Sequence, residues 1–300
     1  MSSARTTTTP VRDRYPSRVG GDAGLGDRLD PVVWGDGDGP LSPEDVESFD
    51  RDGFLVVPEL VPADVVERCT DDFARLAGEA TSRDPLAIYE PDSDDLRSLF
   101  DVHRTSDVYA ALVRRPELLG VARQLLADDV YIHQSRINVK RAYTGRSFPW
   151  HSDFETWHVE DGMPAMRAVS CSIALTENHP WNGQLLLIAG SHRTYLSFPG
   201  STPEDNHLTS LRKQSYGVPT PAQLDALAEQ GTVEQFTGPP GSVCFFDCNT
   251  MHGSPDNISP VARTNLFFVY NALANALVEP FGTDVPRPNH IADRSFEPLD

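Results

Sequence analysis

Lysine is almost missing from this chain of 300 residues: there are two, Lys140 and Lys213. Basic residues of both kinds number 25 against 44 acidic ones, a net charge of −19. That field repels polyanions, so nucleic acid and anionic membrane surfaces are excluded as partners. Cysteine is equally sparse. Cys69, Cys171, Cys244 and Cys248 form no C-x-x-C pair, which excludes a disulfide framework or a four-thiolate zinc site and leaves them as reduced thiols. No apolar run approaches the length of a membrane span, and Met1–Pro10 holds no apolar stretch of a secretory leader, so a cytoplasmic protein is expected. No internal repeat is visible. Enough apolar residues remain, 39%, for a sizeable core. The expected organisation is a disordered tail over residues 1–12 and a single domain over 13–300.

What the chain does have is concentrated between Phe148 and Ala168, where two imidazoles, four carboxylates and two indoles occur without helical apolar spacing. The centre of this stretch is His151-x-Asp153. On an extended backbone, side chains at i and i+2 leave the same face, so this imidazole and carboxylate converge on one point. A second imidazole, His252, follows the apolar run Val243–Phe246. Two histidines and one carboxylate make the face that holds non-haem Fe(II) with positions open for chemistry with oxygen. A His-x-Asp pair by itself more often marks a solvated strand end. The late His252, Arg263 on the next apolar run and Lys140 on an earlier one tip the reading to a metal site.

The remaining segments read as scaffold. Ser42-Pro43-Glu44-Asp45 carries a hydroxyl cap, a proline and acids, the ingredients of a helix start, and Gly53 closes that helix before the strand Phe54–Val57. Ala63–Ala77 has helical apolar spacing. Trp34 is expected to pin an N-terminal arm to the body. Asp84–Phe100 reads as an acidic loop or lid, and two helices follow, around Val108–Val113 and Leu118–Leu126, separated at Pro116. Along Val130–Lys140 the period of two puts Gln134, Arg136, Asn138 and Lys140 on one face. That polar face suits either a half-exposed strand or the lining of a barrel. His192 reads equally as a structural histidine or a ligand, and Pro221–Gln230 as a helix. Short strands between turn signals, with helices mainly in the N-terminal half, predict a mainly β fold with α decoration, a double-layer jelly-roll barrel.

The uninterrupted run Phe148–Ala168 (F-P-W-H-S-D-F-E-T-W-H-V-E-D-G-M-P-A-M-R-A) resembles the signature of Fe(II)- and 2-oxoglutarate-dependent dioxygenases of the phytanoyl-CoA hydroxylase superfamily, in particular those that hydroxylate ectoine. Tyr15–Arg18, Asp30–Trp34, Gln134–Lys140, Cys248–Ser254, Asn265–Asn271 and Pro286–Pro288 extend the likeness along nearly the whole chain. The resemblance implies a cupin-like double-stranded β-helix in which His151, Asp153 and His252 bind Fe(II). It implies that Lys140 and Arg263, with Asn138 and Ser172 as lesser contacts, hold 2-oxoglutarate. For L-ectoine it implies Gln134, Thr156, Trp157 and Arg287, with Phe246 and Phe267 as pocket walls or as plain core. The reaction it implies takes O2, 2-oxoglutarate and ectoine to 5-hydroxyectoine, succinate and CO2, in a homodimer. Two other readings share these residues: a dioxygenase acting on another small amino-acid-like substrate, and a non-catalytic metal-binding barrel.

Overall fold

The computed structural model describes residues 12–20, 23–35, 38–91 and 93–300, so all of the expected tail except Arg12 lies outside the described residues. In chain order the strands are β1 (Gly24–Asp27), β2 (Phe54–Val57), β3 (Ala87–Tyr89), β4 (Leu96–Phe100), β5 (Val130–Lys140), β6 (Phe148–His151) and β7 (Ala168–Ala174). They continue with β8 (Leu185–Ile188), β9 (Thr194–Ser197), β10 (Val233–Phe236), β11 (Val243–Asp247), β12 (His252–Ser254) and β13 (Arg263–Ala272). A seven-stranded sheet, β2-β11-β7-β13-β5-β4-β3, faces a four-stranded one, β10-β8-β12-β6. The pairings are antiparallel. These two layers are the double-layer jelly roll that the strand spacing predicts and the double-stranded β-helix that the resemblance implies.

The alternation along each strand decides what fills the barrel. On β7, Val169, Cys171 and Ile173 point outward into the main apolar core, which is completed by side chains from the helices α1 (Pro43–Asp52), α2 (Ala63–Glu79), α3 (Val102–Thr105), α4 (Asp107–Leu112) and α5 (Pro116–Leu126). Ser170 and Ser172, between them, are also buried. On β5 the polar set Gln134, Asn138 and Lys140 is buried, so this face lines the barrel and is not half in water.

Helix α1 starts and stops as its sequence dictates. Ser42 and Asp45 form a reciprocal capping box, Pro43 takes the first turn, and Gly53 closes the helix at φ 81°, a region glycine enters without a Cβ penalty. Gly53 also has no room for a side chain, since a Cβ would lie 2.3 Å from His192 Nδ1. His192 is structural: its Nε2 meets the Asp50 carbonyl at 3.0 Å. Trp34 does pin the arm, through Nε1 to the Met166 carbonyl at 3.3 Å and with the Arg167 guanidinium over its ring.

Two expectations are corrected. Asp84–Phe100 is not a lid: β3 and β4 pair antiparallel and extend the large sheet at its edge. Leu96, Leu99 and Phe100 are buried there, and Arg97 pairs with Glu90 at 3.1 Å in the interior. The segment after His151 is not a strand. Ser152 is extended (φ −103°, ψ 134°), and the chain then coils into α6 (Asp153–Thr156) and a π-helical turn, Trp157–Asp161. The convergence of His151 and Asp153 survives because the single residue between them keeps the extended geometry.

Candidate active site

Strands β6 and β12 pair with His151 directly opposite His252, and α6 returns Asp153 to the same point. One donor atom from each of the three residues lies within 4.8 Å of the others, and all three residues are buried. Asp153 Oδ1 stands 3.7 Å from His151 Nε2, and Oδ2 stands 3.8 Å from His252 Nε2. These separations are too long for hydrogen bonds and suit three donors facing one ion. Each imidazole is oriented from behind: Nδ1 of His151 meets the Pro149 carbonyl at 2.7 Å, and Nδ1 of His252 meets the Thr250 carbonyl at 2.9 Å. A carbonyl only accepts, so Nδ1 carries the proton and donates it, leaving the Nε2 lone pair for a metal. Burial, followed by the neighbouring His252, pushes His151 down to about 3, so its ring is neutral as a ligand must be. For Asp153, burial pushes the pKa up. The combined pull of His252, His151, Arg136 and Arg287 outweighs it and holds the carboxyl below its usual range. The three residues therefore fit a divalent metal in charge, protonation and reach.

Two cavities flank this point. The larger, about 60 Å³, is lined by His151 and Asp153 together with Gln134, Thr156, Trp157 and Arg287. The smaller, about 20 Å³, is lined by His151 and His252 with Asn138, Arg263, Ser254 and Phe267. Gln134 is oriented by its Nε2, which donates to the Ile291 carbonyl at 2.7 Å. Trp157 meets the His133 ring edge to face at 5.0 Å. Arg287 is locked to Asp161 through Nε at 2.8 Å and Nη2 at 2.5 Å, which drives its pKa up against the effect of burial.

Arg263 and Arg136 both bring a guanidinium with an unpartnered Nε among the described residues to this point, and in Arg263 a second nitrogen, Nη1, is unpartnered as well. Arg263 is buried, and burial pulls its pKa down to about 10.

Lys140, Ser172 and Phe246 line neither cavity. Lys140 Nζ donates to the carbonyls of Arg146 at 2.8 Å and Pro255 at 2.6 Å. Burial, then Arg263 and Arg97, hold it well below the lysine range. Ser172 Oγ accepts from Asn265 Nδ2 at 3.1 Å. Phe246 packs among apolar side chains and against the His252 ring, 4.9 Å between centroids, so it supports a metal ligand from behind. Phe267 lies on the Arg263 side and not on the Trp157 side.

The sequence reading passed over Arg136, which lines both cavities and lies over Phe267 at 5.3 Å. Its signal was present, because it shares the period-two face with Gln134 and Asn138. Phe148 likewise lines both cavities, and Arg18 and Glu160 line the larger one.

The pattern of the family described as phytanoyl-CoA dioxygenase (PhyH) matches residues 49–265. An ectoine dioxygenase of Streptomyces coelicolor is 48% identical over 297 residues, covering 98% of this chain and 99% of that protein. The crystal structure of EctD from S. alaskensis with 2-oxoglutarate and 5-hydroxyectoine superposes with a TM-score of 0.86 at 45% identity, covering 96% of this chain and 97% of that one. The same enzyme with bound Fe gives 0.84 at the same identity and coverage. A likeness of this length, laid over a metal-binding face that the geometry forms on its own, places the chain in the phytanoyl-CoA dioxygenase family.

Proposed function

We infer that this chain is an Fe(II)- and 2-oxoglutarate-dependent dioxygenase that converts L-ectoine, 2-oxoglutarate and O2 to 5-hydroxyectoine, succinate and CO2. The observation that carries the reading is the metal-binding face set between two differently lined cavities. One is closed by the unpartnered Arg263 and calls for a small anion; the other is lined by an indole, an amide, a hydroxyl and a guanidinium.

His151, Asp153 and His252 would hold the iron, which when bound supplies oxygen activation coupled to decarboxylation of the co-substrate. The chain's own work is binding, orientation and exclusion of water. Arg263 suits the distal carboxylate of 2-oxoglutarate because its planar fork gives two parallel charge-assisted bonds, and Asn138 lies beside it in the same cavity. In the larger cavity, Trp157 offers an aromatic face for the delocalised amidinium of ectoine, an interaction of about 0.5–2 kcal/mol. Gln134, Thr156 and Arg287 offer polar contacts to its ring and carboxylate. Lys140 supports the barrel and does not bind. Lys140→Met should leave the co-substrate KM within about twofold and lower the melting temperature modestly, because two partly buried carbonyls lose a hydrogen bond at about 1 kcal/mol each, that of Arg146 keeping Arg97 as a second donor.

Residues 13–300 act as one unit in this reading. Tyr195 Oη donates to the Tyr15 carbonyl at 2.8 Å, and Leu299 N donates to the Val130 carbonyl at 2.9 Å, so both ends of this stretch are fastened to the folded body. A cytoplasmic homodimer completes the proposal. No helix among the described residues is long and apolar enough to cross a membrane, and sizing of the purified chain decides the oligomer.

The deciding assay loads the protein with Fe(II) under nitrogen, admits air, 2-oxoglutarate and ectoine, and follows both products by mass spectrometry. Equal amounts of succinate and 5-hydroxyectoine are expected. Succinate without hydroxyectoine would keep the co-substrate and move the substrate to another small amino-acid-like compound; neither product would return the chain to a metal-binding barrel.

A further inference from the structure

One buried cation beside the larger cavity has no part in the reaction described so far. Arg18 arrives on the N-terminal arm in the left-handed backbone region, at φ 55°, which a non-glycine residue holds only where its surroundings fix it. Its side chain is 1% exposed. A guanidinium has five N–H donors, and all five are engaged. Nε donates to Glu155 Oε1 at 2.9 Å, Nη2 to Glu155 Oε2 and to Thr156 Oγ1 at 3.1 Å, and Nη1 to Glu160 Oε1 at 2.7 Å and Thr202 Oγ1 at 3.5 Å. Asn206 Nδ2 donates to the same oxygen of Glu160 at 2.8 Å. Gly217, at φ 69°, seals the cluster: a Cβ there would stand 2.8 Å from both Arg18 Nη2 and Glu155 Oε2. Three distant parts of the chain therefore meet on one guanidinium.

The consequence for the cavity lies at Thr156. A hydroxyl has one proton to give and two lone pairs to receive with. Thr156 receives from Arg18, and among the described residues it gives no hydrogen bond in return. An N–H directed at the oxygen repels the hydroxyl's own proton, which turns away from Arg18 toward the cavity that Thr156 lines.

We propose that Arg18 is a positioning residue, fixing the Thr156 hydroxyl as a hydrogen-bond donor to a carboxylate oxygen of the substrate. The arm thereby takes part in recognition of the substrate as well as in packing. This rests on the proposed function in taking the occupant to be a small carboxylate-bearing ring. A wild-type protein that makes no hydroxyectoine would refute that function, whereas the role of Arg18 is tested only in an enzyme that makes it.

The test uses the full-length, iron-loaded enzyme and compares R18K, T156V, T156S and R18K/T156V for the ectoine KM, the co-substrate KM, kcat and melting temperature. Loss of one hydrogen bond predicts a rise of about tenfold in the ectoine KM of T156V. R18K, which keeps the charge and loses the fork, is expected to match it. T156S should restore the wild-type value, and the co-substrate KM should stay put in all four. The double variant should be no worse than T156V, because Arg18 acts through that hydroxyl. An unchanged ectoine KM in T156V overturns the proposal. So do multiplying effects in the double variant, or a fall in melting temperature of R18K with no change in ectoine KM. If R18K does not fold, R18K/E160Q, with one buried carboxylate neutralised, takes its place against E160Q as reference, under the same criteria.

Discussion

Asp153→Ala is expected to lose bound iron and hydroxylation together. Asp153 is the only anionic donor of the three residues in the cluster; burial pushes its pKa up, and neighbouring positive charge, the Arg136 and Arg287 guanidiniums included, holds it below the usual range. Its removal leaves two neutral imidazoles to bind a dication in a site where the Arg136 guanidinium now meets no opposing charge. Loss of a mere outer partner of a ligand costs about 10–100-fold in affinity or activity, so loss of the ligand itself should exceed that range. Iron content after anaerobic loading and desalting, read beside product formation, checks both halves of the prediction. An iron-replete Asp153→Ala protein that still formed hydroxyectoine would remove the carboxylate from the metal site. The effect should not come from unfolding. Among the described residues the Asp153 side chain makes no hydrogen bond, its nearest histidine nitrogens being 3.7 and 3.8 Å away.

The metal face was legible in the sequence because two of its members are one residue apart and the third heads a strand bounded by clear turn signals. Strands β2, β11 and β13 were legible for a similar reason: each is a run of apolar or β-branched residues with glycine, proline or charge at its ends. The helix after His151 was not. Phe154, Trp157, Val159 and Met163 are all buried, and a helix buried on every side shows no amphipathic period; the π-helical turn further removes the spacing of 3.6. β3 and β4 were hidden by the acids at the turn between them. Lys140 was assigned to 2-oxoglutarate by the family likeness, whereas its partners in the fold are backbone carbonyls, which no sequence displays. Arg18 and Glu155 are separated by 137 positions, and no local pattern announces such a pairing. The unpartnered state of Arg263 is likewise a property of the fold alone, and it leads to the most unusual expectation.

Arg263→Met should weaken the enzyme and strengthen the empty fold at once. In the absence of co-substrate, Arg263 is a buried guanidinium whose Nε and Nη1 lack partners among the described residues, placed opposite Lys140 in the β5–β13 register. An unpaired buried charge carries a penalty of several kcal/mol, and an apolar side chain of similar length relieves it. The apo variant should therefore melt above the apo wild type. With co-substrate the sign reverses. Two charge-assisted hydrogen bonds at about 1.5–3 kcal/mol each are lost, which raises the co-substrate KM by at least about 100-fold. Stabilisation by ligand follows the logarithm of its concentration over Kd, so 2-oxoglutarate should lift the melting temperature of the wild type and leave that of the variant almost unmoved. Thermal melts of both proteins, with and without 2-oxoglutarate, read the two signs in one experiment. A variant that melted lower when empty, and kept its KM, would mean that Arg263 is satisfied by the protein and that the anion binds elsewhere. The crossing of signs is what separates a group built for a ligand from one built for the fold, since a structural arginine would lose stability in both states.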